Sequence, residues 1–420
     1  MDSKNTDTPG LSPLTELLMT TGEKLLENGA ETFRVENSIL NMFYTLDGKN
    51  EINVVALGTQ LTLDIFDGEH HVAVRRIRRR SINLEKLAHI NEIVRKVTDG
   101  KIGINEASEL LHNLDSIKFG NRIFSIFAAA VFVSGMFVLM IGGTIPEAII
   151  AFICCLIFQS LLVFVKKSAS FIFVATIACA FLTALIASSI SVVWDGSVGR
   201  IIFGALLPLF PGVAMMNAIR DTVNGDLSSG VVRGVEAVLT AAGLAIGTTL
   251  GLLVFSFFSE AISGLPAATK IEIPYAVFAL MVSFGSGFML NAKLKTASVG
   301  AIIGGIVYAV FILCAAAFNR FEWVTIPGTT VGVFVASITL ATLSETAARI
   351  LKVPSTLFLI MGVYPLVPGA GIYKTAVLIL QNNVPEALIT GNSTVAELLF
   401  MVAGIAIVSV FFKLKLKTRN

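Results

Sequence analysis

The chain carries two copies of a Pro-Leu-x-Pro-Gly motif, at residues 208–212 and 365–369, both within apolar runs. A proline inside a helix removes one backbone hydrogen bond and clashes with the preceding turn, so each motif is expected to break a helix. A new helical segment would then start at Gly212 and at Gly369, with unsatisfied N–H groups and the positive end of its dipole facing the break. Such a helix start is a natural seat for a carboxylate group.

The residues at and after these breaks form the candidate substrate-binding set, namely Pro211, Gly212, Asn217, Pro368, Gly369, Tyr373 and Lys374. Lys374 stands within an apolar run, where a charge is costly and is a functional candidate by default. The alternative is that both motifs are packing kinks, which are common in membrane helices. The matching positions of the two copies favour the functional interpretation.

Four further charged residues are candidates for proton coupling or gating, namely Arg220, Asp221, Glu236 and Glu345. Glu345 has Arg349 one helical turn later, so a structural ion pair is the alternative for this residue. The connection from Arg220 to Glu236 is the most polar internal one. It is either a gate or a solvated loop.

Composition separates the chain into two regions with different solvents. Of 420 residues, 55% are hydrophobic and only 14% are charged, whereas soluble chains carry about 25% charged residues. Residues 1–118 hold most of the charged side chains and all four histidines, and long apolar runs follow from Arg122 onward. We expect a disordered N-terminus (1–12), a soluble domain (13–118), two membrane halves (119–258 and 274–413) and a basic tail (414–420).

Ten apolar runs are long enough, at about 20 residues, to cross a hydrocarbon core of about 30 Å. They are predicted at 123–141, 147–165, 171–193, 200–218, 232–258, 274–291, 297–318, 329–347, 354–381 and 394–412. Each is expected to be a helix, because lipid offers no partner for backbone N–H and C=O groups.

The basic residues near the span ends indicate the orientation of the chain. With the N-terminal domain inside, fourteen lie at inner ends, namely Lys118, Arg122, Lys166, Lys167, Arg220, Arg233, Lys293, Lys295, Arg349, Lys352, Lys413, Lys415, Lys417 and Arg419. Only three lie in outer loops, namely Arg200, Lys270 and Arg320. This bias predicts a multi-pass protein of the plasma membrane with both termini in the cytoplasm. The polar start of the chain lacks the apolar core of a signal peptide, in agreement with this topology.

The two motifs also mark an internal repeat, because they lie 157 residues apart (365 − 208 = 157). Weaker echoes pair 173–176 with 334–337, and 127–128 with 278–279. Five spans in each half would place the second half upside down relative to the first. The predicted fold is therefore all-α and polytopic, with about ten spans in a 5+5 inverted repeat of the kind found in secondary transporters.

The N-terminal domain is predicted to be α+β. A helical pattern runs from Leu14 to Leu46, with Gly29 as an expected interruption. Residues 53–66 and 72–77 are rich in β-branched side chains and flank the turn Asp67-Gly68, so a strand hairpin is predicted. A further helix is expected over 84–97.

Several kinds of chemistry find no support in the residues. The sequence contains no Walker loop, no Cys/His cluster at metal-site spacing and no G-x-S-x-G motif. We therefore expect no catalytic residues, no metal site and no cofactor. The expected partners are a small-molecule substrate, protons and the lipid bilayer, not nucleic acid, and a homo-oligomer is left open.

Four segments together resemble the threonine/serine exporter family, namely GAETFRVE (29–36), VRRIRRRSINLEKLAHIN (74–91), PLFPGVAMMNAIRD (208–221) and PLVPGAGIYK (365–374). The resemblance covers nearly the whole chain and is to the fused form of the family, whose halves occur as separate chains in related systems. It implies export of small carboxylate-bearing metabolites coupled to the proton gradient. The split relatives imply dicarboxylates such as succinate as an alternative substrate.

Three functional hypotheses therefore stand. The first is a proton-coupled exporter of threonine- and serine-type amino acids, an antiporter and not an enzyme. The second is an exporter of dicarboxylates, for which Lys374 or Arg220 would supply a second cation. The third is a membrane-anchored enzyme or sensor that uses the N-terminal domain, with Glu31, Glu36, His70 and His71 as its candidates.

Overall fold

The computed structural model describes residues 12–77, 82–114, 116–117, 121–165, 172–191, 196–223, 225–258, 273–320, 327–366 and 369–417. The chain divides into two compact units. The first comprises Met1–Phe119 and Arg220–Val232, and the second comprises Gly120–Ile219 and Arg233–Asn420. The first unit thus includes a short stretch that the sequence analysis assigned to the first membrane half.

Both ends of the chain are described only in part. The expected disordered segment, 1–12, lies outside the described residues apart from Ser12, whose side chain accepts the Thr15 N–H at 3.1 Å and so caps the first helix. The basic tail, 414–420, is described as far as Lys417, where it continues the last helix.

Two helices form the predicted N-terminal helical stretch, namely α1 (Pro13–Glu27) and α2 (Thr32–Leu46). They are separated at Gly29 as expected, because Gly29 has a φ of +91°, which a residue with a Cβ adopts only with strain. An added Cβ at Gly22 in α1 would lie 2.5 Å from Leu61 and 2.8 Å from Ile39. This close approach places α1 against both α2 and the sheet.

The sheet has three antiparallel strands in the order β1 (Glu51–Leu57), β2 (Gln60–Phe66) and β3 (His70–Arg76). The prediction of a single strand over 53–66 is wrong, because the two-residue turn Gly58–Thr59 divides it. Buried residues alternate along β2 at Leu61, Leu63 and Ile65, so one face of the sheet covers the helices. Two further helices, α3 (Leu84–Thr98) and α4 (Ile104–Asn113), pack against α1 and complete this part of the unit.

The second unit consists of helices in the described residues. They are α5 (Arg122–Ala128), a π-helix (Ala129–Gly135), α6 (Met136–Met140), α7 (Ile145–Val165), α8 (Ile172–Ser191), α9 (Val198–Leu206), α10 (Gly212–Val223), α11 (Leu227–Ser256), α12 (Ala276–Met289), α13 (Leu294–Phe318), α14 (Gly328–Leu351), α15 (Ser355–Val363), α16 (Gly369–Leu380) and α17 (Val384–Lys417). The last residues of α10 and the first of α11 belong to the first unit.

Seven of the described helical stretches are long and apolar enough to cross a membrane, or eight if one bent pair counts as a single span. Two shorter apolar stretches, Ile273–Met289 and Ser355–Leu366, fall at the predicted sixth and ninth spans. A multi-pass membrane architecture is therefore confirmed.

The first span contains an irregularity that the sequence did not indicate. Between α5 and α6, the Ala129–Gly135 segment winds as a π-helix, and its small residues Ala129, Ala130 and Gly135 are buried. A π-helical segment inside an α-helix is rare and is often found at functional sites. This segment packs against α7, α9 and α12.

The helices of the two halves pack in the same pattern. In the first half, α7 packs against α8 and α9, and α8 packs against α9. In the second half, α13 packs against α14 and α15, and α14 packs against α15. The same set of neighbours, taken in the same chain order, indicates that these two groups of three helices are similar.

The first span and α12 join the two halves at close range. An added Cβ at Gly285 would lie 2.2 Å from the Cβ of Phe132, so this contact requires glycine. The Ser125 hydroxyl donates to the Met289 carbonyl at 2.7 Å, which is a polar link of the kind that holds membrane helices together.

Glycines also bring α11 against α8. An added Cβ at Gly247 would lie 2.2 Å from the Ile177 carbonyl oxygen, and one at Gly251 would lie 2.6 Å from the Phe181 carbonyl oxygen. We expect Gly247→Ala to lower the free energy of unfolding by about 1–3 kcal/mol, because the helices must separate to admit the methyl group. The measurement is the midpoint of thermal unfolding in detergent.

Gly234→Ala is the matched control, because it lies on the same helix with no atom within 4 Å of an added Cβ. Its melting temperature should equal or exceed that of the wild type. Equal melting temperatures for the two variants would contradict the described contact between α8 and α11.

Candidate functional site

The first helix break lies where the Pro-Gly motif predicts it. After α9, the chain makes a 3₁₀ turn at Leu207–Leu209, and α10 starts at Gly212 with a bend of 56° between the two helical segments. Pro211 lies in the break. The Gly212 N–H donates to the Phe210 carbonyl at 2.8 Å, so this amide is satisfied within the break itself. Any anion seat at this helix start would use the amides that follow.

The second break has the same plan. α15 passes into a 3₁₀ turn at Tyr364–Leu366, and α16 starts at Gly369, as predicted. Pro368 lies outside the described residues, and so does the side chain of Tyr373.

The two broken elements match residue by residue. α9 and α15 have 9 residues each, both 3₁₀ turns have 3, and α10 and α16 have 12 each. Every helix boundary in the second element lies 157 residues after its counterpart (369 − 212 = 157). The internal repeat read from the two motifs is therefore also a repeat of local backbone structure.

The match continues beyond the second helix of each element. At the same offset, Gly225 and Asn382 both adopt positive φ, at +97° and +59°. One residue later, Asp226 and Asn383 each accept the backbone N–H three residues further on, at 3.0 and 3.4 Å. Each pair ends one helix and caps the next in the same way.

Each break packs on one member of the pair of spans that joins the halves. The 3₁₀ turn at Leu207–Leu209 contacts the π-helix, and the 3₁₀ turn at Tyr364–Leu366 contacts α12 and α13. Since the π-helix and α12 pack against each other, the described interface between the halves lies beside both breaks.

The polar candidates after the breaks differ in their surroundings. Asn217, the fifth residue after Gly212, is buried, with 3% of its surface exposed. Lys374 occupies the same position after Gly369, and its ammonium group lies 3.1 Å from the Glu386 carboxylate at the start of α17. Both members of this ion pair are partly exposed, so its charge is compensated and solvated. Sequence reasoning missed Glu386, which carries no motif signal.

Arg220 and Asp221 lie in the most deeply buried polar cluster of the first unit. Arg220 forms an ion pair with Glu31, and the Asp221 carboxylate accepts hydrogen bonds from the Thr32 hydroxyl at 3.0 Å and the Thr32 N–H at 3.2 Å. Glu31, Thr32 and Asp221 are fully buried. Two segments that carry the family resemblance, GAETFRVE and the Arg-Asp pair, are therefore in direct contact.

The contact has a clear electrostatic basis. Thr32 is the first residue of α2, so its N–H has no partner inside the helix, and the negative charge of Asp221 also complements the positive end of the helix dipole. The partners are separated by 189 residues in the chain. Helical periodicity could not predict such a pairing.

A second carboxyl group in the first unit, that of Glu36, has a raised pKa. Glu36 accepts the Ala56 N–H at 2.9 Å, and its partial burial, together with nearby Asp226, raises the pKa of its carboxyl group above the ordinary value. The burial effect is the larger, and the Ala56 hydrogen bond opposes it.

The remaining gating candidates lie apart from this cluster along the chain. The Glu345 carboxylate accepts the Ser355 hydroxyl at 2.7 Å, and Arg349 lies 4.4 Å above the ring of Phe412. Glu236 is half-buried on α11. These contacts do not test a role of Glu236 or Glu345 in proton coupling or gating, and both roles remain predictions.

A buried ion pair near the start of α9 was not anticipated. Glu147 has 1% of its side chain exposed, and it accepts from Arg200 at 2.8 Å, from the Ser197 N–H at 2.8 Å and from the Thr144 N–H at 2.6 Å. These bonds tie the first turn of α7 to the first turn of α9. The start of α9 is thereby anchored to α7 within its own unit.

The residues of the enzyme hypothesis each have different partners. His70 lies 3.1 Å from Asp64 and His71 lies 3.0 Å from Asp67, both on exposed β3, whereas Glu31 binds Arg220. In the part of the chain that the structure describes, no group of three His, Cys, Asp or Glu side chains is placed to hold a metal ion.

Comparison with known families matches most of the chain. A family model described as "Putative threonine/serine exporter" matches residues 16–255, and one described as "Threonine/Serine exporter, ThrE" matches residues 275–411. The chain belongs to the threonine/serine exporter family. Residues 256–274 separate the two matches, and the resemblance stated from the motifs is confirmed.

Two relatives illustrate how distant the family members are. A "Probable threonine/serine exporter" of Mycobacterium tuberculosis (strain ATCC 25618 / H37Rv) is 20% identical over 328 residues, which are 76% of this chain and 60% of that protein. A "Threonine/serine exporter" of Corynebacterium glutamicum is 21% identical over 329 residues, which are 75% of this chain and 66% of that protein. The chain thus spans less than two thirds of either relative, and both are named as exporters rather than enzymes. No solved structure matches the chain.

The buried ion pair of Arg220 and Glu31 predicts a strong effect on stability. We expect Arg220→Gln to cost about 3–5 kcal/mol, because it leaves the Glu31 charge buried without its partner. The double variant Glu31→Gln/Arg220→Gln should recover much of this loss, since neither position then holds a buried charge that has lost its partner. Thermal unfolding of the full chain, analysed as a double-mutant cycle, measures both effects.

Arg76→Gln serves as the control. Arg76 is exposed on β3, so this variant should have the melting temperature of the wild type. If the losses of stability in Glu31→Gln and Arg220→Gln add up in the double variant, the two charges do not stabilise each other.

Glu36 predicts a pH dependence. Because its folded-state pKa is raised, the folded protein takes up a proton at higher pH than the unfolded chain, so stability rises as pH falls through this raised pKa. Glu36→Gln carries no charge at any pH, so the variant should be more stable than the wild type at neutral pH. This difference in stability should shrink as the pH falls. Melting temperatures across this pH range provide the test, with exposed Glu109→Gln as the control. A difference that does not change with pH would contradict the raised pKa.

Proposed function

We propose that this protein is a secondary transporter that exports threonine- and serine-type amino acids across the plasma membrane, driven by protons. One observation carries the proposal, namely the two helix breaks with equal segment lengths and a single offset, in a chain of the threonine/serine exporter family. The relatives' names supply the substrate class. The breaks supply a place for its carboxylate.

The membrane arrangement in this proposal has ten spans. Seven unbroken stretches, the bent pair α9–α10, the Ile273–Met289 stretch and the broken pair α15–α16 make up this number. The repeated set of helix neighbours supports two groups of five, and an odd number in each group inverts the second. The bias of basic residues toward one side supports cytoplasmic termini.

The substrate site in this proposal lies at the two breaks. Amides in the first turns of α10 and α16 would bind the substrate carboxylate, with Pro211 and Pro368 maintaining the breaks. Asn217 and Tyr373 would supply further hydrogen bonds. An inverted pair of such breaks suits alternating access, since each break can open toward one side of the membrane.

The buried cluster of the first unit is proposed to control the inner end of α10. Arg220 and Asp221 lie in the last turn of this helix and are held by Glu31 and Thr32. Because α10 starts at the first break, a rearrangement of the cluster would reach Gly212 through about two and a half helical turns. Glu236 and Glu345 remain candidates for proton coupling.

The dicarboxylate alternative requires a second cation at the site. Lys374 was its leading candidate, but its charge is balanced by Glu386. Arg220 is likewise paired, with Glu31. The described contacts therefore favour a zwitterionic amino acid over a dianion.

Reconstituted vesicles provide the test of this function. Purified protein in proteoliposomes loaded with labelled threonine should release it when a pH gradient is imposed, and a protonophore should abolish this release. Unlabelled serine should compete in exchange, whereas succinate should not.

Three results would contradict the proposal. Folded protein that moves neither threonine nor serine faster than protein-free vesicles would exclude the substrate class. Movement of succinate in their place would establish the dicarboxylate alternative. Threonine release that does not depend on the pH gradient would contradict the proposed proton coupling.

A further inference from the structure

The helices α14 and α17 run side by side in the same direction. An added Cβ at Gly404 in α17 would lie 2.8 Å from the Phe334 carbonyl oxygen in α14. Further along both helices, the Arg349 guanidinium carbon lies 4.4 Å from the centre of the Phe412 ring. Both residues of the second contact follow those of the first in the chain, so the two helices are parallel. Their C-terminal ends therefore lie on the same side of the second unit.

Arg349, near the end of α14, is an exposed cation without a carboxylate partner among the described residues. The ion pair with Glu345 that the sequence allows is not formed, and the Glu345 carboxylate accepts the Ser355 hydroxyl at 2.7 Å. The ring of Phe412 attracts the guanidinium group through a cation–π contact and fixes its plane. A stacked guanidinium group still offers the N–H donors along its edge, in a geometry that matches a phosphate.

More positive charge follows on α17. The helix continues past Phe412 to Lys417, and the sequence places further lysines at positions 413 and 415. Between Glu397 and Asn420 the sequence contains no Asp or Glu, so this helix end is purely basic. We call the ends of the two helices the basic patch, which consists of Arg349, Lys413, Lys415 and Lys417.

Exposed apolar side chains adjoin the basic patch. Ile350, next to Arg349, is 74% exposed, and Phe411, next to Phe412, is 62% exposed. At the end of a spanning helix, apolar side chains lie against acyl chains while cations beside them reach the headgroups. A ligand that fits both features carries an anionic group attached to hydrocarbon. A soluble phosphate ester would complement the charge alone.

The two halves of the chain differ at this position. At the 157-residue offset, Phe412 corresponds to Phe255 (412 − 157 = 255), so the ring is repeated. Arg349 corresponds to Val192 (349 − 157 = 192), so the cation is not repeated. The second half carries it at a helix end that the bias of basic residues assigns to the cytoplasm. The cytoplasmic leaflet is the one whose surface is negatively charged by anionic lipids.

We propose that the basic patch binds the headgroup phosphate of an anionic phospholipid, with Arg349 as the principal donor. The acyl chains lie against the exposed apolar side chains of the same helix ends. The bound phosphate neutralises the charge of Arg349 and links the ends of α14 and α17. This lipid site goes beyond the proposed function and does not depend on which substrate is transported.

The test compares two lipids that differ in charge. Dioleoyl phosphatidylglycerol, which is anionic, and dioleoyl phosphatidylcholine, which is zwitterionic, are titrated separately against the full-length protein in detergent, and the rise in melting temperature is recorded. Phosphatidylglycerol should stabilise the wild type at lower concentration than phosphatidylcholine does. Arg349→Gln should require about five- to tenfold more phosphatidylglycerol for the same rise, because the principal cation is lost. Its response to phosphatidylcholine should not change.

Matched variants locate the effect. Arg320→Gln removes an exposed arginine just after α13, outside the basic patch, and should leave the phosphatidylglycerol titration unchanged. Phe412→Leu keeps every charge but removes the ring beside Arg349, so it should weaken phosphatidylglycerol binding a few-fold. Arg349→Lys keeps the charge without the planar set of donors, and its titration should fall between those of the wild type and Arg349→Gln.

Three results would overturn this lipid site. Equal stabilisation of the wild type by both lipids would exclude a site for an anionic headgroup. Equal weakening in Arg349→Gln and Arg320→Gln would assign the effect to the overall charge of the protein. Stabilisation by glycerophosphoglycerol, the same headgroup without acyl chains, at the same concentration as by the lipid would make a soluble phosphate ester the occupant. None of these results bears on threonine export, which the vesicle assay measures separately.

Discussion

Inside a bilayer every backbone N–H and C=O group must find its partner within the protein, because lipid offers none. A spanning helix satisfies this constraint internally, and a Pro-Gly break violates it at one point. The first break is short, and its Gly212 N–H donates to the Phe210 carbonyl. What remains is a helix start inside the protein, with its dipole directed at the break. The repeat, the packing of the halves and the proposed binding site all depend on that feature.

Charge is placed around this feature with few uncompensated groups. At the two ends of the predicted fourth span, Glu147 and Arg200 hold the start of α9, and Arg220 with Glu31 holds the last turn of α10. Breaking either pair would leave a buried charge, which costs more than the pair itself contributes. The fourth span is thus bound at both ends and interrupted between them. Movement at the interruption is the simplest way for such a helix to change shape.

Local effects were predictable from the sequence, and long-range pairings were not. The break positions followed from proline geometry, and the interruption at Gly29 followed from its conformational freedom. The Gly58–Thr59 turn was missed because strand-forming residues flank it on both sides. The π-helix has no composition signal, since it differs from an α-helix only in its hydrogen-bond register.

The contacts of Glu31 and Thr32 with the end of α10 join residues 189 apart, and only tertiary structure brings them together. The family resemblance pointed to the correct segments but to neither contact.

The inverted arrangement of the two broken elements is the central claim, and side-specific labelling tests it directly. Leu227 and Val384 are exposed residues at equivalent positions, at the first residues of α11 and α17 (384 − 227 = 157). Each is replaced by cysteine in a chain whose four native cysteines are changed to alanine, and intact cells are treated with a membrane-impermeant maleimide. The account predicts labelling at position 384 in intact cells and at position 227 only after permeabilisation. Labelling of both positions from the same side of the membrane would contradict it.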